Sequence, residues 1–154
     1  CTVEVLIPDL EGNWKALKAI VEARPDVLNH NTETVPRIYR RIRPRADYKR
    51  TLELLRLSKE MAPEMLTKSS LMVGLGENTT ELLETIQDIR NTNCDLLTIG
   101  QYLSPSKKHF DVDYYYTPEE FEQLKTASLK MGFRHVEAGP LVRSSYHARQ
   151  QAQL

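Results

Sequence analysis

A β-rich run followed by a helical pattern recurs along the whole 154-residue chain, and this alternation constrains the fold more than any other feature. Strands separated by helices form parallel units, because each crossover must carry the chain back over the sheet. No repeat, low-complexity block or linker divides the pattern, so the chain reads as one α/β unit.

Strand patterns are expected at Thr2–Ile7, Val27–Asn31, Lys68–Leu75, Cys94–Tyr102 and Phe133–Ala138. Between them, Asn13–Arg24 carries Trp14, Leu17, Ile20 and Val21 at helical spacing, and Thr34–Arg41 reads as a brief helix ending near Arg43-Pro44. Asp47 suits the N-cap of a longer helix with Tyr48, Leu52 and Leu55 on one face and Pro63 beyond its end. Thr79 or Thr80 is expected to cap a helix burying Leu82, Leu83, Ile86 and Ile89. Thr117-Pro118-Glu119-Glu120 starts another helix with a capping threonine, Pro at the first helical position and Glu at the third.

Every strand ends in a polar or glycine-bearing loop, and in β/α barrels the chemistry sits at the C-terminal ends of the strands. A doubly wound sheet is the alternative, but the GxGxxG loop after a first strand is missing. An open piece of barrel would leave sheet edges and apolar barrel-facing residues uncovered, so the isolated piece is expected to aggregate.

Charge excludes several functions. The 21 Lys and Arg balance the 21 Asp and Glu, whereas nucleic-acid and membrane-surface binders need a surplus of positive charge. No apolar run approaches bilayer length, and no signal peptide is visible. Two cysteines, Cys1 and Cys94, are too few for a disulfide framework and fit a reducing compartment. Because the chain begins at Cys1 directly on a strand pattern, it reads as a piece of something longer.

Several segments allow a ligand-binding reading beside a plainer one. Asn29-His30-Asn31-Thr32-Glu33-Thr34 places amides, an imidazole and a carboxylate at a strand end, where they can grip a ribose diol or an amino-acid head group. Equally, Asn31 or Thr32 can cap the next helix, with Glu33 favoured there by the helix dipole. Gly74-Leu75-Gly76-Glu77 permits close backbone approach to a ligand or serves as a simple turn. Seven basic residues, Arg37, Arg40, Arg41, Arg43, Arg45, Lys49 and Arg50, make either a local anion-binding surface or a solvated helix face. His30, His109, His135 and His147 show no metal-ligand spacing, and Cys94 reads as a small buried hydrophobe. Arg143-Ser144-Ser145-Tyr146-His147 is, on its residues alone, a polar tail able to bind a phosphate or supply a hydroxyl.

Taken together, Val3-Glu4-Val5-Leu6-Ile7-Pro8-Asp9, Asn29-His30-Asn31-Thr32-Glu33-Thr34-Val35, Met72-Val73-Gly74-Leu75-Gly76-Glu77, Leu97-Thr98-Ile99-Gly100-Gln101-Tyr102-Leu103 and Gly139-Pro140-Leu141-Val142-Arg143-Ser144-Ser145-Tyr146 resemble the C-terminal half of the lipoyl synthase family of radical S-adenosylmethionine (SAM) enzymes. The resemblance implies the C-terminal portion of a partial (β/α)6 TIM-like barrel over residues 1–138, with a C-terminal tail over 139–154. It also implies insertion of two sulfur atoms into an octanoyl chain on a lipoyl-domain protein, with SAM and two 4Fe-4S clusters as cofactors. One cluster cleaves SAM to a radical that abstracts hydrogen, and the auxiliary cluster is the sulfur donor.

In that family three cysteines and one serine of the Arg-Ser-Ser-Tyr motif hold the auxiliary cluster. The resemblance therefore assigns Ser145 as its ligand, with Ser144 as the fallback. Alkoxide is a weaker partner for iron than thiolate, which suits a cluster that must be dismantled. The resemblance places Asn29, Asn31 and Glu33, Gly74, Gly76 and Glu77, Gln101 and Arg143 at the cofactor or near the reacting chain; Ser70 stands where the family usually has glycine. Catalytic residues are left unassigned.

Implied partners are an octanoylated lipoyl-domain protein, either a 2-oxoacid dehydrogenase E2 or a glycine cleavage H protein, and an electron donor, with no nucleic acid and no membrane. The expected location is cytoplasmic, or mitochondrial in a eukaryote. The family's cluster cysteines have no counterpart in this sequence, so the chain alone is expected to be inactive. Two alternatives are a non-catalytic scaffold for the lipoyl carrier and a β/α-barrel enzyme acting on a phosphorylated small molecule through the Gly74–Glu77 loop.

Overall fold

The computed structural model describes residues 1–145. Strand β1 (Glu4–Leu6) stops before Pro8 and leads through a short 3-10 turn into α1 (Trp14–Glu22), capped by the Asn13 side chain. Next come β2 (Val27–Asn29), α2 (Pro36–Ile42) and α3 (Tyr48–Met61), the last capped by Asp47 as its sequence requires. The chain continues with β3 (Leu66–Val73), α4 (Thr79–Asn91), β4 (Leu96–Gln101), α5 (Pro118–Lys130) and β5 (His135–Gly139). Among the described residues no helix is long and apolar enough to cross a membrane.

Two helix starts differ from the sequence reading. Helix α4 is capped by Asn78, not by Thr79 or Thr80. Asn78 keeps an extended backbone and shares a reciprocal capping box with Glu81, whereas Thr79 is already helical. Helix α2 has Val35 at its N-cap with no side-chain bond and Pro36 in its first turn. Neither Asn31 nor Thr32 caps it, so the plainer account of those two residues falls.

The five strands are all parallel and lie in the order β1-β2-β3-β4-β5. A doubly wound sheet reverses its strand order at a switch point. Here the order never reverses, and uniformly right-handed crossovers then put α1, α3, α4 and α5 on one face, as in a barrel. On that face Leu71, Val73, Leu97, Ile99 and Val136 pack under Ile86, Ile89, Phe121 and Leu124. Leu28 and Ile7 pack under Leu17, Val21 and Leu54.

The opposite, barrel-facing side is not the apolar surface expected from the sequence. Strand pairing places Glu4, Asn29, Lys68, Ser70, Thr98 and Glu137 there together with Leu6 and Met72, and Val27, Leu66 and Leu96 form an apolar layer on it. Lys68 is fully buried, with Nζ 3.2 and 3.3 Å from the two carboxylate oxygens of Glu4, which also accepts from Asn29 Nδ2 at 2.9 Å. A buried lysine is tolerated only with such partners. Burial depresses the Lys68 pKa, and Glu4 acts against that shift.

Candidate functional site

The site begins with a bulge in β2. Asn29 pairs with Lys68, and the next bridge joins Glu33 to Leu71, so four steps on one strand meet three on its neighbour. Bulges of this kind re-aim side chains beside active sites. Ser69 holds the extra loop: its hydroxyl donates to the His30 carbonyl at 2.8 Å and receives the Thr32 N–H at 3.2 Å and the Thr32 hydroxyl at 2.8 Å. Glu33 rejoins β3 through its N–H to the Ser70 carbonyl and its carbonyl to the Met72 N–H. It does so at φ +75°, a left-handed conformation that L side chains rarely adopt and that clusters at functional sites.

Beneath the bulge, buried His30 faces the Ile7 carbonyl with Nδ1 at 2.9 Å and Thr51 Oγ1 with Nε2 at 3.1 Å, and Tyr39 OH lies 2.9 Å from the same Thr51 oxygen. A carbonyl only accepts, so Nδ1 carries the proton, Nε2 accepts from Thr51, and Thr51 accepts from Tyr39. Burial lowers the His30 pKa, with the Ile7 carbonyl in opposition, and keeps the ring neutral. This chain ties β1, β2, α2 and α3 together under the site.

A cavity of about 390 Å³ opens at the C-terminal ends of β3 and β4, lined by Asn31, Glu33, Ser70, Thr98, Gln101, Arg143 and Ser144 among others. Its size and mixed lining suit a small-molecule ligand. Burial raises the Glu33 pKa, with the Arg43 guanidinium at 3.1 Å and the Asn31 amide acting against it. The Asn31 amide oxygen is buried and has no hydrogen-bond partner, a state that costs free energy unless a donor arrives. The Ser70 and Thr98 hydroxyls lie 2.5 Å apart on the same face. Gly100 lets the chain after β5 cross over β4, because a Cβ there would strike the Val142 carbonyl. That crossing brings Arg143 and Ser144 to the cavity.

The other expected residues lie elsewhere or are engaged. Asn29 is buried beside Glu4, below the cavity, with its own amide oxygen unpartnered. Gly74, Gly76 and Glu77 lie outside the cavity lining. The Glu77 carboxylate takes the N–H groups of Gly74 at 2.6 Å and Leu75 at 2.9 Å, which removes the donors a phosphate would need. A Cβ on Gly74, at φ +95°, would meet Gln101 and the Tyr114 carbonyl, so this glycine admits a neighbouring loop. Gln101 spends its amide on that loop and on β3, sharing its two N–H groups among the Val73, Tyr102 and Tyr114 carbonyls and accepting from Tyr116 N–H.

Ser145 is exposed next to Ser144, and Tyr146 and His147 lie outside the described residues. The basic stretch divides: Arg37 pairs with Glu81, Arg43 with Glu33 and Arg50 with Asp9, while Arg40 and Arg41 remain exposed. Ser70 enters the sequence reading only as the departure from the family's glycine and Thr98 only within the Leu97–Leu103 stretch, although period-two alternation from Lys68 along paired strands puts both on the barrel face.

No group of three or more His, Cys, Asp or Glu among the described residues is placed to hold a metal ion. Cys94 is fully buried, and burial pushes its thiol up to about 12. It is an inert core residue.

A family model described as the radical SAM superfamily matches residues 1–89. The chain is 60% identical over 152 residues to a lipoyl synthase of Koribacter versatilis, covering 99% of this chain and 50% of that protein. It is 58% identical over 147 residues to a lipoyl synthase of Caldanaerobacter subterraneus, covering 96% and 52% respectively. A lipoyl synthase of Staphylococcus haemolyticus is 55% identical over 150 residues, covering 97% and 49%. The chain thus spans about half the length of the curated relatives it matches.

Proposed function

The chain belongs to the radical SAM superfamily, and from that premise we propose that it forms one half of a lipoyl synthase, contributing part of the SAM pocket and the serine-bearing segment beside it. Octanoylated lipoyl-domain proteins are its substrates in this reading, and its working place is the cytoplasm, or the mitochondrion in a eukaryote. The relatives' shared name supports the activity. The observation that carries the site is the buried, unpartnered amide oxygen of Asn31 beside the strained Glu33 on a cavity wall.

These residues fit SAM. Asn31 and Glu33 offer acceptors for ribose hydroxyls or an ammonium group, the Ser70 and Thr98 hydroxyls add directed polar contacts, and Arg143 offers a cation for a carboxylate. For an iron-sulfur cluster this chain offers one oxygen ligand, from Ser145 or, failing that, Ser144, and its two cysteines supply no thiolate set. The cofactors, when bound, supply hydrogen abstraction and sulfur. The chain's own residues orient the ligand, hold Glu33 against Arg43, and bring the Arg143–Ser145 segment across β4.

The phosphorylated-substrate reading loses its anion site, since Glu77 occupies the Gly74 and Leu75 N–H groups. The test is SAM retention by the full-length protein in equilibrium dialysis. Wild type retains SAM and Asn31→Ala weakens retention by ~10-fold, the scale of one lost hydrogen bond in a buried site. Wild-type protein that does not bind SAM would overturn the reading.

A further inference from the structure

The cavity rim carries a second surface, assembled from two segments far apart in sequence. Residues 102–117 join β4 to α5 without regular structure, a length that is uncommon unless the loop has a function. Leu103 and Pro105 of this loop line the cavity. Tyr102 at its start and Val112 farther along pack against Val35, Ile38 and Ile42 around α2, and Arg41 of α2 stacks on the Phe110 ring at 5.2 Å.

Together the two segments expose cations and apolar side chains. Arg40, Arg41, Lys107 and Lys108 are exposed and form no salt bridge among the described residues, and they outnumber the exposed carboxylates of the two segments, Asp111 and Asp113. Leu103, Phe110, Tyr114 and Tyr115 are exposed on the same loop, Tyr115 to 64%. Exposed aromatics beside arginine are the composition of protein interfaces.

We propose that α2 and the 102–117 loop form the docking surface for an acidic folded domain, which sits on the rim and delivers its acylated lysine arm into the cavity. The inference rests on the lipoyl synthase reading and names the face that receives the carrier. Four cations steer the acidic domain, Phe110 and the exposed tyrosines cover the contact, and the Arg41–Phe110 stack holds the two segments together. Arg37 and Arg43, committed to Glu81 and Glu33, take no part.

The test compares two substrates in the full-length protein: the octanoylated carrier domain and a short peptide bearing octanoyl-lysine. The single variant Arg40→Glu, which leaves the Arg41–Phe110 stack in place, and the double variant Lys107→Glu with Lys108→Glu each raise the KM for the carrier by ~10-fold at low salt, the scale of lost electrostatic steering. Turnover of the peptide stays at the wild-type level, and added salt narrows the gap between variant and wild type. An unchanged carrier KM in both variants overturns the proposal, whether or not the same changes abolish binding to RNA or anionic vesicles. Equal losses on carrier and peptide also overturn it. Wild-type protein that turns over neither substrate overturns the functional reading, and this surface with it.

Discussion

Thr51 donates its hydroxyl hydrogen to Nε2 of His30 across 3.1 Å, and the direction is fixed because His30 Nδ1 faces the Ile7 carbonyl while Tyr39 OH reaches Thr51 from the other side. Burial holds the His30 pKa below its ordinary 6.5, with the Ile7 carbonyl opposing. Between the folded and unfolded pKa values the unfolded chain binds the extra proton. The stability is therefore fully present above about pH 6.5 and declines as pH falls through the folded value. Urea midpoints measured across this range should fall with pH in wild type. Thr51→Val, which leaves two buried polar groups unpaired, should cost about 1–3 kcal/mol at neutral pH.

Glu33→Gln separates binding from stability. Burial raises the Glu33 pKa despite Arg43 and Asn31, so the ionised carboxylate costs stability once pH exceeds the folded value. Glutamine inherits the φ of +75° and changes only the charge. At neutral pH the variant should melt at or above the wild-type temperature while SAM affinity falls by ~10-fold, the scale of a lost charge-assisted hydrogen bond. Calorimetry and dialysis on the same samples check both halves; a variant that melts lower with SAM affinity intact would contradict the account.

The Glu4–Lys68 pair should behave as a buried ion pair. Glu4→Leu strands a fully buried lysine and should cost roughly 3 kcal/mol or more, while Glu4→Leu combined with Lys68→Met should cost less than the single change. Denaturation of the single and double variants gives the comparison, and simple additivity of the two losses would argue against the pairing.

Gly100→Ala tests the crossing of the segment after β5. The new Cβ meets the Val142 carbonyl, and such overpacking costs about 1–3 kcal/mol. Sulfur insertion should drop sharply as Arg143 and Ser144 are pushed off β4, while SAM retention, which loses Arg143 but keeps Asn31 and Glu33, should fall far less. Parallel assays of SAM retention and product formation separate the two.

The sequence made the elements legible and hid most of what shapes the site. Local signals carried α5, whose Thr117-Pro118-Glu119-Glu120 start forms the capping box it spells, and α3, capped by Asp47. The α4 start was misread because Asn78, Thr79 and Thr80 are all good caps and only backbone conformation selects among them. The bulge at His30–Thr32 could not be read from β2, since the hydroxyl that holds it belongs to Ser69 on β3. Glu4 and Lys68 meet across 64 positions, and that pairing turns the expected apolar barrel face polar. The basic stretch from Arg37 to Arg50 reads as one surface, yet three of its seven cations pair within the chain. Glu81, Glu33 and Asp9 claim three of its arginines, and only strand and helix placement reveals which.

The central claim is best tested by the mass of an octanoylated lipoyl-domain carrier after incubation with the full-length protein, SAM and a reductant. The account predicts that the octanoyl chain loses two hydrogens and gains two sulfur atoms, and that Ser145→Ala abolishes the sulfur gain while leaving SAM bound. A carrier that binds but keeps its mass would contradict it and favour a scaffold.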